Sequence, residues 1–77
     1  MKLLITGLPP DASEEGITEG MTKFGSVIHA EIIPQGKGDV WAVVEMAITH
    51  EQAFSITQRV NDIWYQGNYI NVRILNH

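Results

Sequence analysis

The chain has 77 residues, of which 44% are hydrophobic, with a formal net charge of -4 and no cysteine. This length allows one domain with a modest core, and the hydrophobic share argues against disorder. The lack of cysteine excludes a disulfide framework and a thiolate metal site.

The first half of the chain predicts a strand, a helix and a second strand. The first strand is the apolar run KLLIT, residues 2–6. The helix follows Ser13, whose hydroxyl suits an N-cap, and ends near Gly25, a residue typical of helix ends. Gly20 lies near the apolar stripe of this helix, and close backbone packing is one reason for a glycine there. The second strand is the β-branched segment 26–33.

The second half predicts a hairpin, a helix and a last strand. The third strand, 39–46, follows a glycine-containing turn and pairs with the second strand. Thr49 and Gln52 have the spacing of a capping box and open the second helix. The loop 61–68 has room for a short extra hairpin, and 69–75 is the last strand. The order β-α-β-β-α-β predicts an α+β, ferredoxin-like fold, a four-stranded antiparallel sheet with two helices on one face.

Trp41 is predicted to point away from the helices. Side chains alternate along a strand, and one set in the third strand is wholly apolar. The other set contains two carboxylates, whose burial costs several kcal/mol each unless they are paired. This second set is therefore predicted to lie on the uncovered side of the sheet, which we call the open face. The open-face residues of the second, third and last strands are His29, Glu31, Ile33, Asp39, Trp41, Val43, Glu45, Asn71 and Arg73.

Several segments together resemble the RNA recognition motif family over the whole length of the chain. LLITGL, 3–8, is similar to the family's hexamer, and DVWAVVEM, 39–46, occupies its octamer. THEQAFSITQRVND, 49–62, is similar to the second helix. The resemblance implies one domain over residues 1–77, and it implies that Leu4 and Thr6 face outward. It also implies binding of single-stranded RNA by aromatic side chains on the middle strands.

The resemblance extends to individual residues only in part. Trp41 stands at the third octamer position and is implied to stack a base. Val43 and Leu4 are aliphatic where the family usually has aromatic rings, and Asp39 replaces a usual Lys or Arg. The expected RNA affinity is therefore micromolar or weaker. The residues implied to bind RNA are Trp41, Leu4, Val43, Arg73, Asn71, His29, Lys37 and Thr6.

Other functions remain open at this point. Nine acidic residues against five basic ones suit a module that binds protein, and an aliphatic open face also suits self-association. An Arg-aromatic-Phe tripeptide marks one protein-binding subclass, and the loop NDIWYQGNY lacks it. The expected partners are thus single-stranded RNA or a protein, and the chain is expected to be a monomer or a weak homodimer.

Neither a catalytic site nor a cofactor is indicated. The sequence contains no nucleophile motif, no phosphate-cradling glycine loop and no metal-ligand spacing, so we expect no enzyme and no bound metal. It has no apolar run of about 18 residues that would span a membrane. The apolar segment at the start is short for a secretory signal. We therefore expect an intracellular protein, cytoplasmic or nuclear.

Overall fold

The computed structural model describes residues 1–34, 36, 40–60, 63–65 and 68–75. The elements in chain order are β1 (Lys2–Leu8), α1 (Glu14–Met21), a 3-10 helix (Thr22–Phe24), β2 (Val27–Pro34), β3 (Val40–Met46), α2 (His50–Val60), β4 (Ile63–Tyr65) and β5 (Asn68–Leu75).

The predicted ferredoxin-like fold is confirmed. The strands lie in the order β2-β3-β1-β5-β4, and every neighbouring pair is antiparallel. The four long strands form the expected sheet. The short strand β4 pairs with the outer side of β5, with Ile63 opposite Ile70, so loop 61–68 does contain the extra hairpin.

Both helices lie against the same side of the sheet. Met21 of α1 and Ala53 and Ile56 of α2 belong to one buried cluster with strand residues such as Leu3 and Val44. This buried apolar cluster is the core of the domain. Burial of such side chains is the main favourable contribution to folding. Neither described helix lies on the other side of the sheet, the open face.

The helix starts agree with the predicted caps. The backbone N–H of Gly16 donates to Ser13 Oγ at 3.0 Å. At α2 the backbone N–H of Gln52 donates to Thr49 Oγ1 at 3.1 Å, and the N–H of Thr49 donates to Gln52 Oε1 at 2.9 Å. These bonds satisfy donors that a helix start leaves without an intrahelical partner.

A β-bulge interrupts β1 next to β3. Ile5 pairs with Ala42 and Leu8 pairs with Val40, so two residues of β1, Thr6 and Gly7, face the single residue Trp41. Gly7 has a φ of 82°, in the left-handed region that glycine adopts at little cost. A bulge of this kind bends the strand and increases its twist.

Gly20 does not mark close packing. A Cβ atom added to Gly20 would have no heavy atom within 4 Å, apart from its two chain neighbours and the backbone of its own helix. The expectation of close backbone approach at this position is therefore wrong. Gly20 faces open space, so its lack of a side chain leaves α1 with a helix-weakening residue and no packing gain.

Substituting alanine at these two glycines should change stability in opposite directions. At Gly7 a new Cβ collides with the backbone carbonyl oxygen of Tyr69, and the positive φ adds about 1–3 kcal/mol of strain. At Gly20 alanine should stabilise the protein by about 1 kcal/mol. Urea denaturation of Gly7→Ala and Gly20→Ala measures both free energies of unfolding. Equal effects of the two substitutions would contradict the bulge geometry.

Candidate functional site

Trp41 stands on the open face, as the sequence predicts. Trp41 is 38% exposed, whereas Val40 and Ala42 on either side of it are 7% and 0% exposed. Val43 is half-buried on the same face as Trp41, and Val44 is buried on the helix side. Because its two neighbours in β3 are buried on the helix side, strand alternation places Trp41 on the opposite side of the sheet.

Aliphatic side chains surround the indole on the open face. Ile33 of β2 pairs with Trp41, and Val43, two residues along β3, pairs with Leu4 of β1. Ile33, Val43 and Leu4 are all half-buried. The ring thus lies beside a small apolar patch that offers a flat ligand both stacking and van der Waals contact.

Polar residues of β1 and β5 lie on the other side of Trp41. Thr6, in the bulge opposite Trp41, pairs with Asn71 of β5, and Leu4 pairs with Arg73. Arg73 is exposed. The structure thus brings together six of the predicted site residues, namely Trp41, Val43, Leu4, Thr6, Asn71 and Arg73.

Two other predicted site residues are not part of this group. His29 is exposed and pairs with Glu45, at the end of the sheet away from Trp41. Lys37 and Asp39 lie outside the described residues.

Charge is unevenly distributed over the open face. Glu31 of β2 and Glu45 of β3 lie in one half of the face, and Lys2 of β1 and Arg73 of β5 lie in the other. Lys2 pairs with Glu45 across the line that divides the two halves. We call these halves the β2–β3 half and the β1–β5 half. An anionic ligand is attracted to the β1–β5 half and repelled from the β2–β3 half.

Sequence reasoning missed Tyr69. Tyr69 is 61% exposed. It shares the open face with Asn71 and Arg73, because buried Val72 and half-buried Ile70 take the alternate positions. The signal was present in the alternation of the last strand, whose outward set begins at residue 69.

The helix side has a different character. A cavity of about 390 Å³ lies there, and Ile17, Phe24 and Val60 are among its lining residues. Arg59 lies over the ring of Phe24, 5.8 Å from the ring centroid, which holds this cation within the helix layer. Asp11 and Lys23, which carry opposite charges, both line this cavity. This side therefore offers a phosphate backbone little attraction.

The described part of the chain also bears on metal binding and on membrane spanning. No group of three or more His, Cys, Asp or Glu side chains there is placed to hold a metal ion. Among these same residues, no helix has both the length and the apolar character needed to cross a membrane.

Comparison with known proteins supports the fold and its family. The family model described as RNA recognition motif matches residues 3–71. The structure of Pes4 RRM3 has a TM-score of 0.86 at 16% identity and covers 99% of this chain and 92% of that chain. The Rna15 RRM with bound RNA (GU) has a TM-score of 0.80 at 18% identity and covers 99% and 83%.

A third similar structure is an assembly. The C. elegans NONO-1 homodimer has a TM-score of 0.76 at 24% identity and covers 99% of this chain and 29% of that chain. At these identities the three structures show a shared fold. No curated protein matches the chain.

Proposed function

Because the chain belongs to the RNA recognition motif family, we propose that it binds single-stranded RNA over the open face of its sheet. The family is one of RNA-binding domains without enzymatic activity. The observation that carries the proposal is Trp41, a residue 38% exposed on the open face of a central strand. Indoles exposed in this way serve as platforms for bases, because every base has a π-face.

Each residue of the site has a proposed role. Trp41 stacks one base, and Leu4 and Val43 give apolar contact beside it. Asn71 and Thr6, paired across β1 and β5, supply hydrogen bonds to base edges or the sugar-phosphate backbone. Arg73 meets a phosphate, and Lys37 is proposed to meet another. His29 lies farthest from the ring and contributes only to a longer ligand.

We expect the affinity to be micromolar or weaker. One stacking ring contributes about 1–3 kcal/mol, whereas a micromolar complex requires about 8 kcal/mol. The family's other two ring positions hold Leu4 and Val43, which do not stack. The net charge of -4 also repels a polyanion, so electrostatic attraction depends on the local cations of the β1–β5 half.

A protein, or a second copy of this chain, is the alternative ligand for the open face. The apolar patch of Ile33, Trp41, Val43 and Leu4 favours it, since exposed apolar surface often marks an interface. A similar structure, NONO-1, is a homodimer. Sedimentation over a concentration series measures self-association directly, and a species that stays monomeric excludes the second copy.

Replacing Trp41 tests the RNA proposal. Trp41→Ala should weaken binding of a short single-stranded RNA pool of randomised sequence about 5- to 150-fold, because stacking is lost. Trp41→Phe should retain most of the affinity. Phe54→Ala is the matched control, because Phe54 is 56% exposed but lies on α2. Fluorescence anisotropy of labelled RNA gives the three Kd values. An unchanged Kd for Trp41→Ala would refute the site.

Salt dependence separates RNA from an apolar protein ligand. For single strands, log K falls with log salt by about 0.7 per phosphate contact. With Arg73 and Lys37 as the two phosphate contacts, we expect a slope of about -1.4, and Arg73→Gln should reduce its magnitude by about 0.7. Lys23→Gln removes the same charge from the exposed 3-10 helix and should leave the slope unchanged. A slope near zero in the unmodified protein would instead indicate apolar docking.

A further inference from the structure

Tyr69 and Trp41 flank the same stretch of bare backbone. Gly7 of β1 lies opposite Trp41 on one side, in the bulge. On the other side, its Cα approaches β5 so closely that an added Cβ would collide with the carbonyl oxygen of Tyr69. Gly7 thus occupies the strand between the two aromatic residues and places no side chain between them.

The spacing of the two aromatic residues suits separate bases. Neighbouring strands are about 4.8 Å apart, so β3 and β5, with β1 between them, are separated by roughly 10 Å. Rings that stack on each other have centroids about 4.5–7 Å apart. The backbone positions of Trp41 and Tyr69 therefore suit two bases of one RNA strand, each stacked on its own ring. They suit a single base shared by both rings less well.

The charges of the open face favour an RNA path that leads from Trp41 towards β5. Tyr69 lies on β5, in the half that carries Lys2 and Arg73, whereas Glu31 and Glu45 lie in the other half. A strand that crossed from β1 towards β2 would bring its phosphates near these carboxylates. One that crosses from Trp41 over Gly7 to β5 moves its phosphates away from these carboxylates and onto the strand that carries Arg73.

We infer that Tyr69 is a second base-stacking platform and that the RNA runs from Trp41 across Gly7 onto β5. This inference rests on the proposed RNA-binding function and specifies its path. It assigns to β5 a ring that β1 and the later part of β3 lack, because Leu4 and Val43 are aliphatic. A ligand of at least two nucleotides is required to reach both rings.

The test compares three variants with the unmodified protein, using the labelled pool of short single-stranded RNA. Tyr69→Leu keeps apolar bulk but removes the ring, and it should weaken binding at least about fivefold. Tyr69→Phe keeps the ring and should bind within about twofold of the unmodified protein. Phe54→Leu makes the matched change on α2 and should have no effect.

Three results would overturn the inference. Unchanged binding by Tyr69→Leu would show that the RNA does not reach β5. An equal loss for Tyr69→Phe would show that the hydroxyl, and not the ring, makes the contact. An equal loss for Phe54→Leu would show that the effect does not belong to the open face.

A second measurement on the unmodified protein covers the case in which Tyr69→Leu fails to fold. Stacking on a base shifts the ring-proton resonances of Tyr69 during an RNA titration, and those of Phe54 should stay in place. Unshifted Tyr69 ring protons under saturating RNA overturn the inference.

Trp41→Ala distinguishes failure of the path from failure of the function. If Trp41→Ala loses binding and Tyr69→Leu does not, the open face binds RNA but the path over β5 is wrong. If the unmodified protein does not bind the RNA pool, the proposed function fails and the path fails with it.

Discussion

Burial of one side of β3 determines which surface this protein presents. Val40, Ala42, Val44 and Met46 all belong to the core cluster beneath the helices. Because a strand's side chains alternate, burying this set forces the intervening residues to the opposite side. Both described α-helices cover the buried side of the sheet, so neither of them lies above Trp41. The proposed ligand surface is thus a direct consequence of core packing.

The bulge in β1 links the backbone to the site. A regular register would place one residue of β1 opposite Trp41, whereas the bulge places two there, Thr6 and Gly7. The left-handed conformation of Gly7 makes this possible and lets β5 approach closely. A single backbone feature therefore sets the spacing among Trp41, Thr6 and Tyr69. The distribution of charge across the same face then favours the β1–β5 half for an anionic ligand.

Much of the fold could be predicted from the sequence, because its signals are local. Caps at Ser13 and Thr49 and the alternation in β3 depend on near neighbours, and the structure confirms them. Register and bulges depend on pairing between distant strands, which one sequence does not show. The β2 bulge that leaves Ile28 60% exposed is an example. Tyr69 was missed for another reason, since the outward set of the last strand was read from Asn71 onward.

The central claim is that RNA occupies the side of the sheet opposite the helices, and mapping of backbone amide shifts tests it most directly. A pool of short single-stranded RNAs is titrated into the isotopically labelled protein, and the resonance of each backbone amide is followed. We predict shifts concentrated in β1, β3 and β5, with the amides of Ala53 and Ile56 in α2 unchanged. Shifts concentrated in α1 and α2, around the cavity beside Ile17 and Phe24, would contradict the account.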